Sequence, residues 1–243
     1  MSPTLTHARR ALPAIGAASM LYLSASAYAL TFTEGFDAGV PDTWSQRNDS
    51  SPVGPSGWTQ GAAALSPAQG GTTNSFVVVN FQAGNSVSTL SDWLWTPTLT
   101  VSPDSVLTFY TRTASNPATN PDRLEVRWSS AAVADPGTTA TDVGSFTTLL
   151  LTVNPSLSPT AYPALWTAYS YSFSALPASV TGNLAFRYFV TNGGPSGANS
   201  NIIGLDTVSV TNVVSNVPEA GSSSLMALGL AVFGLCARRV RRA

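Results

Sequence analysis

The stretch RLEVRWSS, residues 123–130, alternates between two kinds of side chain. One face of an extended chain would carry Leu124, Val126 and Trp128, and the other would carry Arg123, Glu125 and Arg127. A period of two residues is that of a β-strand, and one apolar face beside one charged face is typical of a half-buried antiparallel strand. This stretch therefore predicts an antiparallel sheet with one face in a core.

The same pattern recurs along residues 30–214. In LAFRYFV, Arg187 is predicted to point outward, and the inward set is Leu184, Phe186, Tyr188 and Val190. Nine strands are predicted, at residues 30–36, 75–81, 91–97, 105–113, 123–130, 146–153, 167–173, 184–190 and 203–210. Turn-rich loops join them, and no run keeps helical periodicity over three turns. The predicted fold class is all-β, an antiparallel jelly-roll β-sandwich.

The first 29 residues read as a secretory signal peptide. Arg9 and Arg10 precede an apolar stretch that runs to about residue 23, and the small residues Ala27 and Ala29 flank Tyr28. This order is that of a signal helix followed by a signal-peptidase site, so cleavage after Ala29 is predicted. A domain of residues 30–214 would then be exported.

The end of the chain, residues 217–243, has three parts. Pro218 and Glu219 are followed by an apolar run over residues 222–237 and then by arginines. This order resembles the PEP-CTERM sorting signal, although Ala220 stands where a second proline is usual. The resemblance implies a short hydrophobic helix, transient anchoring in the inner membrane of a Gram-negative bacterium, and recognition by an exosortase. A plain stop-transfer anchor is the alternative.

The core also resembles a known family. FTEGFDAGVPDTWSQ (residues 32–46), SDWLWTPTLTV (91–101), LEVRWSS (124–130), LAFRYFV (184–190) and IGLDTVSV (203–210) follow the order of choice-of-anchor J or cleaved-adhesin domains, which are relatives of the MAM-type jelly roll. The resemblance implies a non-catalytic, adhesion-like extracellular β-sandwich.

Composition excludes several functions of the exported domain. It carries five arginines against eleven acidic residues and no lysine, which argues against nucleic-acid binding. The single histidine, His7, lies in the predicted leader, and the single cysteine, Cys236, lies in the tail. Residues 30–214 therefore contain no Ser-His-Asp triad, no Cys-His pair and no histidine-ligated zinc, and no disulfide supports the fold.

Three acids are candidate calcium ligands. Glu34 and Asp37 stand at the end of the first predicted strand, and Asp206 stands in the last. First and last strands of such sandwiches are usually neighbours, so these carboxylates are predicted to converge on a structural Ca²⁺, an ion that takes six to eight oxygen ligands. Solvated loop acids are the alternative.

The six tryptophans offer a second kind of site, because aromatic rings stack on the apolar faces of sugars. Trp44 and Trp58 lie in turn-rich stretches and are predicted to be the exposed, ligand-binding pair. The leading hypothesis is an exported surface or biofilm-matrix protein. A carbohydrate-binding module for exopolysaccharide is the alternative, and a hydrolase using acids such as Asp122 and Glu125 is a remote one.

Overall fold

The structure, a computed structural model, describes residues 29–114 and 120–214. Within these ranges the chain forms thirteen strands and one short 3-10 helix, Phe81–Ala83. The strands are β1 (Ala29–Glu34), β2 (Ser45–Asn48), β3 (Ser51–Val53), β4 (Thr59–Gln60), β5 (Val77–Asn80), β6 (Gly84–Trp95), β7 (Leu99–Val101), β8 (Val106–Thr113), β9 (Leu124–Ser129), β10 (Thr148–Val153), β11 (Thr167–Ser172), β12 (Val180–Gly193) and β13 (Ile202–Val214).

These strands build two antiparallel sheets. The first sheet has the order β11-β8-β13-β5-β4, with β1 also paired to β13. The second has the order β10-β9-β12-β6-β2, with β3 on β6 and β7 on β12. The predicted β-sandwich is confirmed, and all nine predicted strands are present. β2, β3, β4 and β7 were not predicted, because each has only two to four residues and no room to show a period.

The core lies between the two sheets. The four inward residues predicted on β12 are all buried, as are the apolar residues of β9. Aromatic rings fill the centre: Phe186 stacks on Trp44 with centroids 6.4 Å apart, and Phe109 meets Phe186 edge to face at 5.2 Å. The alternation read from the sequence therefore reports the inner faces correctly.

The outer face of the second sheet is partly buried, whereas a half-buried sheet was predicted to expose it. Arg187 lies on this outer face as predicted, yet only 1% of its surface is exposed. The segment between β9 and β10 covers it, and the guanidinium donates to the carbonyl oxygens of Ala140 and Asp142. Burial lowers the pKa of Arg187 to about 10, with Glu125 opposing that shift. The prediction of an exposed polar face is wrong here because a loop packs over it.

Several sequence predictions fall on residues outside the described ranges. The signal helix, Ala27, the C-terminal helix, Pro218 and Glu219 are among them, and cleavage after Ala29 stays a prediction. β1 begins at Ala29, one residue before the predicted start of the exported domain at residue 30. Among the described residues, no helix has the length and apolarity that crossing a membrane requires.

Candidate ligand-binding cleft

A cleft opens between the two sheets, and residues of β10 and β11, the last strands of their sheets, both line it. Its cavity measures about 230 Å³. Trp128 of β9, Leu150 of β10 and Tyr171 of β11 reach it from the strands. The other lining residues are Ser130, Thr148, Phe173, Ala175, Leu176 and Val180. The cleft thus lies at the open edge of the sandwich, where no further strand of the described chain covers the inner faces.

The lining of the cleft is aromatic, aliphatic and uncharged. Trp128 and Phe173 keep 6% and 4% of their surface exposed and form its floor. Phe173 meets Trp128 edge to face at 5.8 Å and Tyr171 at 5.2 Å, so the three rings form one continuous aromatic surface. Ser130 and Thr148 are exposed and place hydroxyl groups at the rim. A neutral ligand with an apolar face and polar edges fits this lining.

The indole of Trp128 contributes an unused hydrogen-bond donor. Its Nε1 is buried and has no acceptor among the described residues, although buried donors are nearly always paired. The ring lies against the backbone of Gly182, because a Cβ at that position would be 2.8 Å from Cζ2 and 2.9 Å from Cε2 of the indole. Because Gly182 has no side chain, the indole of Trp128 has room at the floor of the cleft.

Gly182→Ala should lower the free energy of unfolding by about 1–3 kcal/mol, the range for overpacking a filled site. The added methyl would also lie 2.0 Å from the carbonyl oxygen of Ser129, so the β9–β12 pairing has to shift. Urea unfolding followed by tryptophan fluorescence measures the loss. Gly35→Ala is the matched control, because nothing lies within 4 Å of a Cβ there. Equal stability of the two variants would contradict the tight seat of the indole.

Trp44 and Trp58 are not an exposed pair, and that prediction is wrong. Trp44 is 6% exposed and Trp58 is 1% exposed. Trp44 lies in the aromatic core, where Phe36 meets it edge to face at 5.2 Å. The Nε1 of Trp58 donates to the backbone oxygen of Asp92 at 3.3 Å. Their turn-rich surroundings suggested exposure, but the loops that carry them fold inward over the core.

The predicted calcium ligands are only partly brought together. β1 pairs with β13, so the first and last strands are neighbours as expected, and Glu34 stands opposite Val208. The Oε1 of Glu34 accepts a hydrogen bond from the backbone N–H of Phe36 at 2.7 Å. Asp37 is exposed, and its Oδ1 lies beside Gly71. No three His, Cys, Asp or Glu side chains within residues 29–114 and 120–214 form a group suited to a metal.

Asp206 itself is fully buried and already partnered. Its Oδ2 accepts from the backbone N–H groups of Gln69 and Gly70 at 2.7 and 3.2 Å, and its Oδ1 accepts from the N–H of Thr207 at 2.5 Å. Burial raises the pKa of Asp206, and these donors oppose that shift. Backbone N–H groups thus stabilise the negative charge of Asp206, which a cation was expected to do. Calcium at Glu34, Asp37 and Asp206 stays a prediction.

The two acids suggested for a hydrolase are engaged elsewhere. Asp122 is 1% exposed, and its carboxylate accepts from Tyr188 Oη at 2.6 Å and Thr113 Oγ1 at 2.8 Å. Glu125 is held on the outer face of the second sheet by Arg127 and Arg187, with N–O distances of 2.8 and 3.2 Å. The two carboxyl groups therefore serve separate packing networks and do not face a common substrate site.

The C-terminal residues 216–242 match the family described as the PEP-CTERM protein-sorting motif. Pro218 and Glu219 lie within the matched range, so the predicted sorting motif is confirmed. The motif implies export and recognition by an exosortase. No curated protein matches the chain.

Several solved structures are similar to this chain. The K1 cleaved adhesin domain of Lys-gingipain from Porphyromonas gingivalis W83 is 24% identical, with a TM-score of 0.51, over 74% of this chain and 97% of that domain. The K3 domain of the same protein is 20% identical, with a TM-score of 0.48, over 76% and 99%. The CBM22-1 xylan-binding domain of Paenibacillus barcinonensis Xyn10C is 11% identical, with a TM-score of 0.38, over 80% and 100%. The first likeness confirms the cleaved-adhesin type of fold.

Proposed function

We propose that the protein is an exported, exosortase-sorted component of the outer surface or biofilm matrix of a Gram-negative bacterium. Its β-sandwich, residues 30–214, acts as a non-catalytic binding module. The cleft between β10 and β11 binds neutral saccharide units of the matrix. The aromatic lining of that cleft is the observation that carries the proposal.

The chemistry of the cleft selects the ligand class. Aromatic rings provide flat apolar surfaces of the kind that stack on the apolar faces of pyranose rings. The hydroxyl groups of Ser130 and Thr148 lie at the rim, where sugar hydroxyls would meet them. The lining contains no charged side chain, and the acidic domain disfavours anionic glycans. A neutral sugar therefore suits the cleft better than a uronic acid or a phosphate.

The size of the cleft limits how much of a glycan enters it. A cavity of about 230 Å³ is smaller than the range of roughly 300–1,000 Å³ typical of drug-sized ligands. The site therefore accommodates a single sugar residue or a chain end better than a long glycan segment.

Replacing Tyr171 should weaken saccharide binding without unfolding the domain. Tyr171 is half-buried at the wall of the cleft, so Tyr171→Ala removes one stacking surface. We expect about a tenfold loss of affinity, which corresponds to about 1.4 kcal/mol. The full chain in mild detergent is first screened against a panel of neutral and acidic oligosaccharides, and the strongest neutral binder is then titrated by calorimetry.

Two further variants make this test specific. Ala175 lines the cleft and is exposed, so Ala175→Trp should block it while the floor remains intact. Tyr110→Ala is the matched control, because Tyr110 is also half-buried on the first sheet and does not line the cleft. Equal affinity of wild type, Tyr171→Ala and Ala175→Trp would contradict the proposal, as would a preference for acidic glycans.

A further inference from the structure

Asp92 is a carboxylate in the core without a side-chain partner. It lies on β6 between Leu90 and Leu94, on the inner face, and 1% of its surface is exposed. Neither Oδ1 nor Oδ2 makes a hydrogen bond of good geometry with the described residues, although the backbone N–H of Trp93 lies near enough to lower the pKa of this carboxyl slightly. By contrast, the buried Asp122 and Asp206 each accept several hydrogen bonds. Asp92 does not line the cleft and lies outside the sorting motif.

No positive charge of the described protein compensates Asp92. None of the ion pairs among residues 29–114 and 120–214 includes it. Burial raises the pKa of Asp92 well above its usual value, and the negative charge of Asp49 adds to that shift. An isolated ionised carboxylate in such a place is costly, so it must either hold a proton or meet a cation from solution.

A space of about the size of one methyl group beside Gly57 is bordered by oxygen atoms. A Cβ built on Gly57 would lie 3.4 Å from Asp92 Oδ2, 3.7 Å from Gln46 Oε1 and 3.8 Å from Asp92 Oδ1, and no other atom outside the adjacent residues is nearer. The three nearest atoms to this point are therefore all side-chain oxygens, from two residues. Gln46 is exposed on the edge strand β2, so one of the three oxygens belongs to a side chain that also faces solvent.

The loop that carries Gly57 is fixed over Asp92. The Nδ2 of Asn48 donates to the carbonyl oxygens of Ser56 and Ala83 at 2.9 and 2.7 Å. On the other side of Gly57, Trp58 Nε1 donates to the Asp92 carbonyl oxygen. Because both flanks of the glycine are held, the oxygen-bordered space is part of the folded structure.

We propose that Asp92, Gln46 and the space at Gly57 form a binding site for a hard metal cation, calcium in an exported protein. Carboxylate and amide oxygens are the side-chain ligands that Ca²⁺ takes, and water completes a coordination shell that the protein leaves open. The ion would neutralise the buried carboxylate. The site is separate from Glu34, Asp37 and Asp206, and it needs no second carboxylate.

Thermal melting of the full chain in mild detergent tests the site. With CaCl2 about 100-fold above its dissociation constant, the Tm of the wild type should rise by about 5–10 °C relative to EDTA. Asp92→Asn keeps the shape and removes the charge, so its Tm should not respond to calcium. Gly57→Ala should lose the response as well, because its methyl group occupies the space at ordinary contact distances.

A further variant and two other salts serve as controls for this site. Asp104→Asn changes an exposed acid and should keep the full calcium shift, and MgCl2 and NaCl arms show whether calcium is preferred. A wild-type Tm that ignores every cation would overturn the proposal and leave Asp92 as a protonated core acid. A shift that survives in full in both Asp92→Asn and Gly57→Ala would overturn it too, because calcium would then bind elsewhere.

Discussion

Asp122→Ala should lower the free energy of unfolding by about 3–5 kcal/mol, the range for breaking a buried charged network. Its carboxylate joins the two sheets, because it accepts from Thr113 Oγ1 on β8 and from Tyr188 Oη on β12. The backbone N–H of Asn201 donates to it as well, at 2.7 Å. Removing it takes this acceptor from the Tyr188 hydroxyl and the Asn201 N–H, whereas Thr113 Oγ1 can still donate to the carbonyl oxygen of Ile202. Each buried group left unpaired costs about 1–3 kcal/mol.

Urea unfolding at pH 7, followed by circular dichroism, measures this loss. Asp104→Ala is the control, because Asp104 is exposed and should change stability by about 0.5 kcal/mol or less. Burial raises the pKa of Asp122 in the folded state, so the contribution of this group to stability should fall as the pH rises through that value. A loss below about 1 kcal/mol for Asp122→Ala would show that the network does not join the sheets.

Trp44→Ala should cost about 3–5 kcal/mol, as large-to-small substitutions of buried aromatic residues do. Trp44 contacts Phe32, Phe36 and Phe186 through ring centroids between 5.2 and 6.4 Å apart. The cavity left by the indole would lie between the sheets, where these rigid rings cannot close it. Saccharide binding by the protein that remains folded should be unchanged, since Trp44 is not part of the cleft.

Differential scanning calorimetry of the full chain checks this value. Leu165→Ala serves as the comparison, because Leu165 is a large apolar residue that is 73% exposed and should matter little. If Trp44→Ala abolished glycan binding and left the melting temperature unchanged, Trp44 would be a surface ligand after all. The exposed, ligand-binding role predicted from the sequence would then hold for Trp44.

The sandwich was predictable from sequence because its long strands carry a period of two. β12 shows this well, since every second residue from Leu184 to Val190 enters the core. Where a loop packs over a sheet, the alternation of apolar and polar residues does not predict burial of the outer face. Arg187 marks an outer face in sequence, but burial of that face depends on a segment whose path no local pattern reveals.

The candidate sites were less accessible to sequence. The cleft is lined by β10 and β11, which end their respective sheets, and which strands end a sheet depends on the whole topology. The prediction that Trp44 and Trp58 are exposed is wrong because a turn-rich composition indicates loops but not whether those loops pack onto the core. Asp92 carried a readable signal, since an acid between Leu90 and Leu94 occupies an inner-face position. The space at Gly57, which is part of the proposed cation site, lies on a loop that is distant from Asp92 in sequence.

The central claim, that the cleft binds saccharide, is tested most directly at the indole N–H of Trp128. Each of the six tryptophans gives one indole signal in a ¹⁵N–¹H spectrum of the full chain. During titration with a neutral oligosaccharide that binds, the Trp128 signal should shift with ligand concentration, while those of the buried Trp58 and Trp93 stay in place. Saturated binding with an unmoved Trp128 signal would contradict the account, because the ligand would then sit at another surface.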